Sequence, residues 1–319
     1  MPYTNIHFLG LLSNVDSTIA KLKLDLGFRF EVLPNKEASD LIGRLEGTSQ
    51  PSLGRKMMID WKCINDPERK VIVISNNIEI FYEEDFHQSV EFSRFNNYDV
   101  NIYLDSVLQQ MRLFKEGNIC MPVFYYYFAD NGAYKPVISS SSHGTIVASA
   151  LCLPGRYATF TLKDDEVPEL QKFIDTIRLR LPFEKEFLQL ANEAYQISTN
   201  ISKMDLAFLL SMIGLEALFN PGGQELRYRI SRSVAVLLGK DANEAEVIQN
   251  EMKRLYDVRS EIVHTGKGAS VTEDDLSKLR RHLRESIKEI YKTDLGKDDL
   301  LKVLNSCGFG ERPWIKETK

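Results

Sequence analysis

The chain has 319 residues, 43% of them hydrophobic and 27% charged, with a net charge of −5, and its 36.6 kDa suffice for two domains with their own cores. No apolar run approaches the roughly 20 residues of a membrane-spanning helix, and no basic segment leads into an apolar block at the N-terminus, so the sequence reads as cytoplasmic. Cys63, Cys120, Cys152 and Cys307 are scattered, with no C-x2-C pair and no histidine at zinc spacing, which argues against a disulfide framework and against a zinc site.

Residues 1–163 read as a mixed α and β domain. Short β-branched or aromatic runs predict strands at Ile6–Leu12, Phe28–Leu33, Met57–Ile64, Val71–Ser75, Ile78–Tyr82, Val123–Phe128 and Tyr157–Leu162. Asp130-Asn131-Gly132 is a hairpin-turn signal. Helical spacing appears at Lys36–Leu45 and in the series Val100, Tyr103, Leu104, Val107, Leu108 and Met111. Ser141, Ser142 and His143 lack a nucleophile elbow and a placed acid, so that stretch reads as an exposed polar loop. Tyr125-Tyr126-Tyr127-Phe128 offers stacking faces, but alternation along a strand sends at least half of them into a core. With no catalytic cluster, the domain reads as a sensing or substrate-presenting one.

Residues 164–295 read as a helical bundle, followed by a C-terminal tail at 296–319. Acids and Pro168 precede Leu170, Phe173, Ile174, Ile177 and Leu181, a helix-start signature. A second helix follows Pro182 through Phe187, Leu190, Ala191 and Ala194. The third, near Lys203–Phe219, is apolar nearly all round and is the expected central helix. Its Glu216 falls near the buried side, where a carboxylate needs a partner such as Arg259 or a neighbouring arginine; a place at the rim of the stripe, facing solvent, is the alternative. Leu226, Ile230, Ser233, Val234 and Leu237 make the next buried face and leave Arg227, Arg229 and Arg232 outside it. Arg229 and Arg232, three apart, are placed to grip a phosphate together, with a solvated basic face as the alternative. Thr272-Glu273-Asp274-Asp275 reads as a capping box opening a helix with Leu276, Leu279, Leu283, Ile287 and Ile290 inward and Arg280, Arg281, His282 and Arg284 facing elsewhere.

Charge follows this division: residues 1–222 carry 21 Lys and Arg against 28 Asp and Glu, whereas 223–292 carry 14 against 12. The second stretch is mildly basic without the stripe of a general nucleic-acid binder, which suits a small local cleft.

The most informative stretch is Tyr256 to Gly266. Ala245, Ile248, Met252, Leu255, Arg259 and Ile262 recur at steps of three and four, the spacing of one buried helix face. Arg259 thus occupies an aliphatic position, and a guanidinium there needs a carboxylate, a phosphate or a wet cleft. His264 closes the helix before Thr265-Gly266. Five residues of ideal helix turn the side chain by roughly 140°, so Arg259 and His264 share no face unless the last turn loosens or a second chain contributes. Arginine to stabilise charge and histidine to move a proton are the parts needed for metal-free RNA cleavage through the 2′-hydroxyl. The plainer reading makes Arg259 an ion-pair partner and His264 a helix-end residue.

Gly214-Leu215-Glu216-Ala217-Leu218-Phe219, the run Glu225 to Gly239, and Leu255-Tyr256-Asp257-Val258-Arg259-Ser260-Glu261-Ile262-Val263-His264 together resemble the HEPN superfamily, and within it the Apea-like group of bacterial defence proteins. The resemblance covers roughly the last 150 residues. It implies a metal-independent endoribonuclease with no cofactor, acting on RNA as a homodimer through this helix and free of the membrane, in anti-phage or abortive-infection defence with a phage-derived or host trigger. Arg259 and His264 would be the catalytic pair. Ser260, supporting them, stands where active members often carry Asn, Asp or His; helix position rather than the resemblance adds Glu216 as a further support and Arg227, Arg229 and Arg232 as the residues to bind RNA. The other function class is a non-catalytic HEPN-fold module that dimerises and binds a protein partner or a nucleotide.

Overall fold

A computed structural model of the chain describes residues 3–46, 70–81, 100–130, 133–136, 159–177, 183–222, 225–265 and 271–313. The chain divides into two compact units, Met1–Leu179 and Arg180–Lys319. The first contains an antiparallel sheet and the second is helical, an α+β region followed by an all-α region.

In the first unit five strands, β1 (Tyr3–Ser13), β2 (Arg29–Pro34), β3 (Lys70–Phe81), β4 (Cys120–Asp130) and β5 (Ala133–Pro136), form one sheet in the order β2-β3-β1-β4-β5. Every neighbouring pair is antiparallel. Alternation sorts the side chains onto two faces. Phe8, Phe30, Ile72, Ile74 and Phe124 pack with Leu104, Val107, Leu108 and Met111 of α2 (Val100–Phe114) and with Leu170 and Ile174 of α3 (Glu166–Ile177). Leu9, Leu11, Val71, Val73 and Tyr125 pack on the other face with Ala38 and Ile42 of α1 (Asn35–Glu46). Covering both faces explains why Val71 to Ile74 is a continuous apolar run rather than an alternating one.

Three expectations change here. The two strands read at Val71–Ser75 and Ile78–Tyr82 are one, because Asn76 and Asn77 stay in register with Phe8 and His7 of β1 and the Asn76 amide donates to the Leu26 carbonyl at 3.0 Å. Residues 159–162 form no strand: Phe160 makes an isolated parallel bridge to Val15, with its N–H donating to the Asn14 carbonyl at 2.7 Å. The helix after Asp165 belongs to the first unit rather than opening the bundle, since Leu170 and Ile174 complete the sheet's core. The strand expected at Met57–Ile64, the serine-rich loop with Ser141, Ser142 and His143, and the residues Asn131-Gly132 between β4 and β5 lie outside the described residues.

The second unit comprises α4 (Glu186–Asn200), α5 (Met204–Phe219), α6 (Leu226–Leu238), α7 (Ala242–Thr265), α8 (Glu273–Tyr291) and α9 (Lys297–Ser306). Helix α5 is the central one, touching α4, α6, α7, α8 and α9. Gly214 permits the close approach of α8, because a Cβ there would lie 2.7 Å from a Leu283 methyl. Gly239 does the same at the α6–α7 turn, where a Cβ would meet the Ala245 Cβ at 2.6 Å. The capping box at Thr272 is formed: its hydroxyl accepts from the Asp275 N–H, and the Asp275 carboxylate accepts from the Thr272 N–H. The tail read at 296–319 is not separate, for Leu300 and Leu304 of α9 are fully buried in this unit. Among the described residues no helix is long and apolar enough to cross a membrane.

Candidate functional site

Helix α7 buries Ala245, Ile248, Met252, Leu255 and Ile262, the stripe that its spacing predicts. Arg259 takes the remaining place in that stripe without entering the core, its side chain 26% exposed. The guanidinium lies over the Tyr256 ring, 5.7 Å from its centroid. Nη2 approaches the Glu216 Oε1 to 3.2 Å. The approach is an ion pair without hydrogen-bond alignment, and Oε1, fully buried, accepts no hydrogen bond from another described residue. Burial raises the Tyr256 phenol's pKa; the Glu216 charge adds to the shift and the Arg259 charge opposes it. Helix α5 thus brings Glu216 to Arg259, one of the arrangements its position on the helix allowed.

His264 is exposed and sits one residue before the end of α7. The last turn is regular: the Thr265 hydroxyl donates to the Glu261 carbonyl at 2.7 Å. An unbroken helix sets His264 about 140° around the axis from Arg259 and about 7.5 Å along it. Within one chain the two side chains therefore diverge. Ser260 is half-buried beside them, and Val263 is 50% exposed on the outer side.

The three arginines read as an RNA-binding group do not act together. Arg227 grips Asp257 through Nε and Nη2 at 2.6 and 2.7 Å, which spends its fork on a surface pair between α6 and α7. That hydrogen bond holds the Asp257 carboxyl below its ordinary pKa. Arg232 turns inward, donating from Nη1 to the Leu304 carbonyl and from Nη2 to the Cys307 carbonyl, each at 2.6 Å. It anchors the last turn of α9, where carbonyls lack partners within the helix. Only Arg229 remains exposed without a side-chain partner among the described residues, so the expected clamp of Arg229 with Arg232 is not formed.

A charged cluster that sequence reasoning misplaced lies on α8. His282 and Arg284 do not face elsewhere; they are 3% and 8% exposed. His282 Nε2 meets Glu251 Oε2 at 2.6 Å, and Lys278 and Arg281 stand 3.4 Å from the same carboxylate. The hydrogen bond from His282 is the main reason that the Glu251 pKa falls to about 2. Arg254 reaches Asp275 at 2.5 Å; burial alone would raise that carboxyl, but the bonds from Arg254 and Thr272 outweigh it and hold the pKa low. Glu251 and His282 each adjoin a stripe residue, Met252 and Leu283, and this flanking position was the available signal. Among the described residues no three or more His, Cys, Asp or Glu side chains converge in a way that would hold a metal ion.

No protein-family model, curated protein or solved structure matches this chain.

Proposed function

We propose that the chain is a HEPN-type endoribonuclease, metal-independent and active as a homodimer, whose composite site joins Arg259 and His264 of two copies. The observation that carries this reading is the divergence of a partly exposed arginine and an exposed histidine at one end of an unbroken helix. Two copies of such an end supply two guanidiniums and two imidazoles. Cleavage needs a base to take the 2′-hydroxyl proton as the 2′-oxygen bonds to phosphorus, and an acid to protonate the departing 5′-oxygen; the paired His264 side chains fill these roles. Arg259 stabilises the charge that builds on the phosphorane-like transition state. Glu216 and the Tyr256 ring orient Arg259. The bacterial defence setting and a phage-derived or host trigger belong to the same proposal and rest on the resemblance alone.

The Arg259–Glu216 pair favours a second reading, a HEPN-fold interaction module in which the arginine is structural. One experiment separates them: cleavage of total RNA in EDTA by wild type, Arg259→Ala and His264→Ala, with circular dichroism to establish folding. The ribonuclease reading expects loss of at least about 100-fold in both folded variants. Cleavage that persists in folded His264→Ala sinks it.

A further inference from the structure

Two neighbouring polar side chains of α7 make no hydrogen bond with any described residue. The Arg259 guanidinium meets Glu216 as an ion pair only and lies over the Tyr256 ring, so its N–H groups are unspent. The Tyr256 hydroxyl is unspent as well, and in a half-buried side chain it is not itself sealed from solvent. Enclosed phenols and guanidiniums ordinarily find partners. Tyr103 accepts the Asp25 N–H at 2.7 Å, and Tyr195 is hydrogen-bonded to Arg284. Arg232 donates to two carbonyls and Arg312 to Glu289 at 2.9 Å. Tyr256 and Arg259 depart from this together, three positions apart on one unbroken helix, where side chains are neighbours.

Both groups are donors. Burial raises the Tyr256 pKa above its ordinary 10.0, and the hydroxyl stands within electrostatic reach of both Glu216 and Arg259. The phenol therefore keeps its proton at neutral pH, and a guanidinium offers N–H groups alone. A cation and a neutral donor side by side suit an oxyanion. The carboxylates at hand do not fill that place: Glu216 Oε1 is fully buried, and Asp257 is spent on Arg227 at 2.6 and 2.7 Å. The pair also lies more than one turn before the end of α7 at Thr265, beyond the stretch where the helix dipole repels an anion. A phosphodiester has two non-bridging oxygens, one for each donor.

We infer that the Tyr256 hydroxyl is a second phosphate donor, holding one non-bridging oxygen of an RNA phosphodiester while Arg259 holds the other. The choice of RNA as ligand rests on the ribonuclease reading. The role goes beyond the support that the Tyr256 ring gives Arg259, and the two are separable: Tyr256→Phe keeps the ring under the guanidinium and removes only the donor.

Fluorescence anisotropy of the full chain with a labelled 2′-O-methyl oligoribonucleotide, which lacks the free 2′-hydroxyl that cleavage needs, reads binding apart from chemistry. Tyr256→Phe should lower the affinity about tenfold, as expected for one hydrogen bond to a charged group. Its Tm should equal that of wild type, because the hydroxyl has no partner among the described residues. In an Arg259→Ala background the same change should cost less than about twofold, since the oxyanion is no longer held between two donors. Unchanged affinity in folded Tyr256→Phe overturns the inference, as does failure of wild type to bind the oligonucleotide. A lowered Tm with the same loss of affinity in both backgrounds also overturns it, in favour of a structural hydroxyl. Cleavage of total RNA followed in parallel keeps the two readings apart. Wild type that cleaves nothing, with the affinity difference present, sinks the ribonuclease and upholds the tyrosine; wild type that cleaves, with Tyr256→Phe binding and cleaving equally well, does the reverse.

Discussion

Replacing Arg232 by methionine keeps the aliphatic stem and removes two charge-assisted hydrogen bonds, to the carbonyls of Leu304 and Cys307. Bonds of this kind contribute about 1.5–3 kcal/mol each. Both come from one partly buried guanidinium, and the carbonyls regain water when α9 lifts, so a net cost of about 2–4 kcal/mol to α9 docking is expected. At about 1.36 kcal/mol per tenfold, local opening of α9 rises roughly 30- to 1,000-fold. Hydrogen exchange followed by mass spectrometry reads this directly: amides of residues 297–307 should exchange faster by that factor, while those of central α5 keep their rates. Leu300 and Leu304 stay as anchors, so the unit remains folded. If Arg232 were instead a phosphate ligand, the variant would weaken RNA binding and flatten its salt dependence with exchange in α9 unchanged. That outcome refutes the reasoning.

Glu251 tests the electrostatics of α8. Its folded pKa of about 2 lies below the ordinary 4.5, so the stability it contributes is present above pH 4.5 and lost as pH falls toward 2. The shift corresponds to about 2–3 kcal/mol after allowance for screening; Glu251→Gln should lower urea midpoints at neutral pH and flatten their decline over that window, and curves parallel to wild type would contradict it. Thr272→Ala removes the capping box of α8 and should cost about 1 kcal/mol, a fall of roughly 2–4 °C in Tm; an unchanged thermal transition would mean that the cap is dispensable. Glu216→Gln leaves the side-chain volume and removes the charge facing Arg259. If Glu216 orients Arg259 for catalysis, cleavage should fall by about tenfold or more in a folded variant, and undiminished cleavage removes that role.

The periodic features were legible residue by residue. The α7 stripe of Ala245, Ile248, Met252, Leu255 and Ile262, the buried face of α8 and the Thr272 box needed only spacing, because each is set by the geometry of one helix. The pairing of Glu216 with Arg259 was legible only as one option, because spacing places each charge near an apolar face of its own helix without saying which surface lies across from it. The fates of the other arginines were not legible. Arg227, Arg229 and Arg232 differ by which element lies across from them, Asp257 of α7 for one, solvent for the next and the end of α9 for the third, and helical spacing carries no information about the opposite surface. His282 and Arg284 went astray because α8 touches α4, α5, α6 and α7, so its polar flanks are enclosed as well as its apolar stripe. The sequence by itself determined where the helices and most strands run, which faces are apolar, and that Arg259 needed a carboxylate, a phosphate or a wet cleft. Only tertiary structure decided which cations are spent on internal partners and which remain available, because that depends on contacts between residues far apart in the chain.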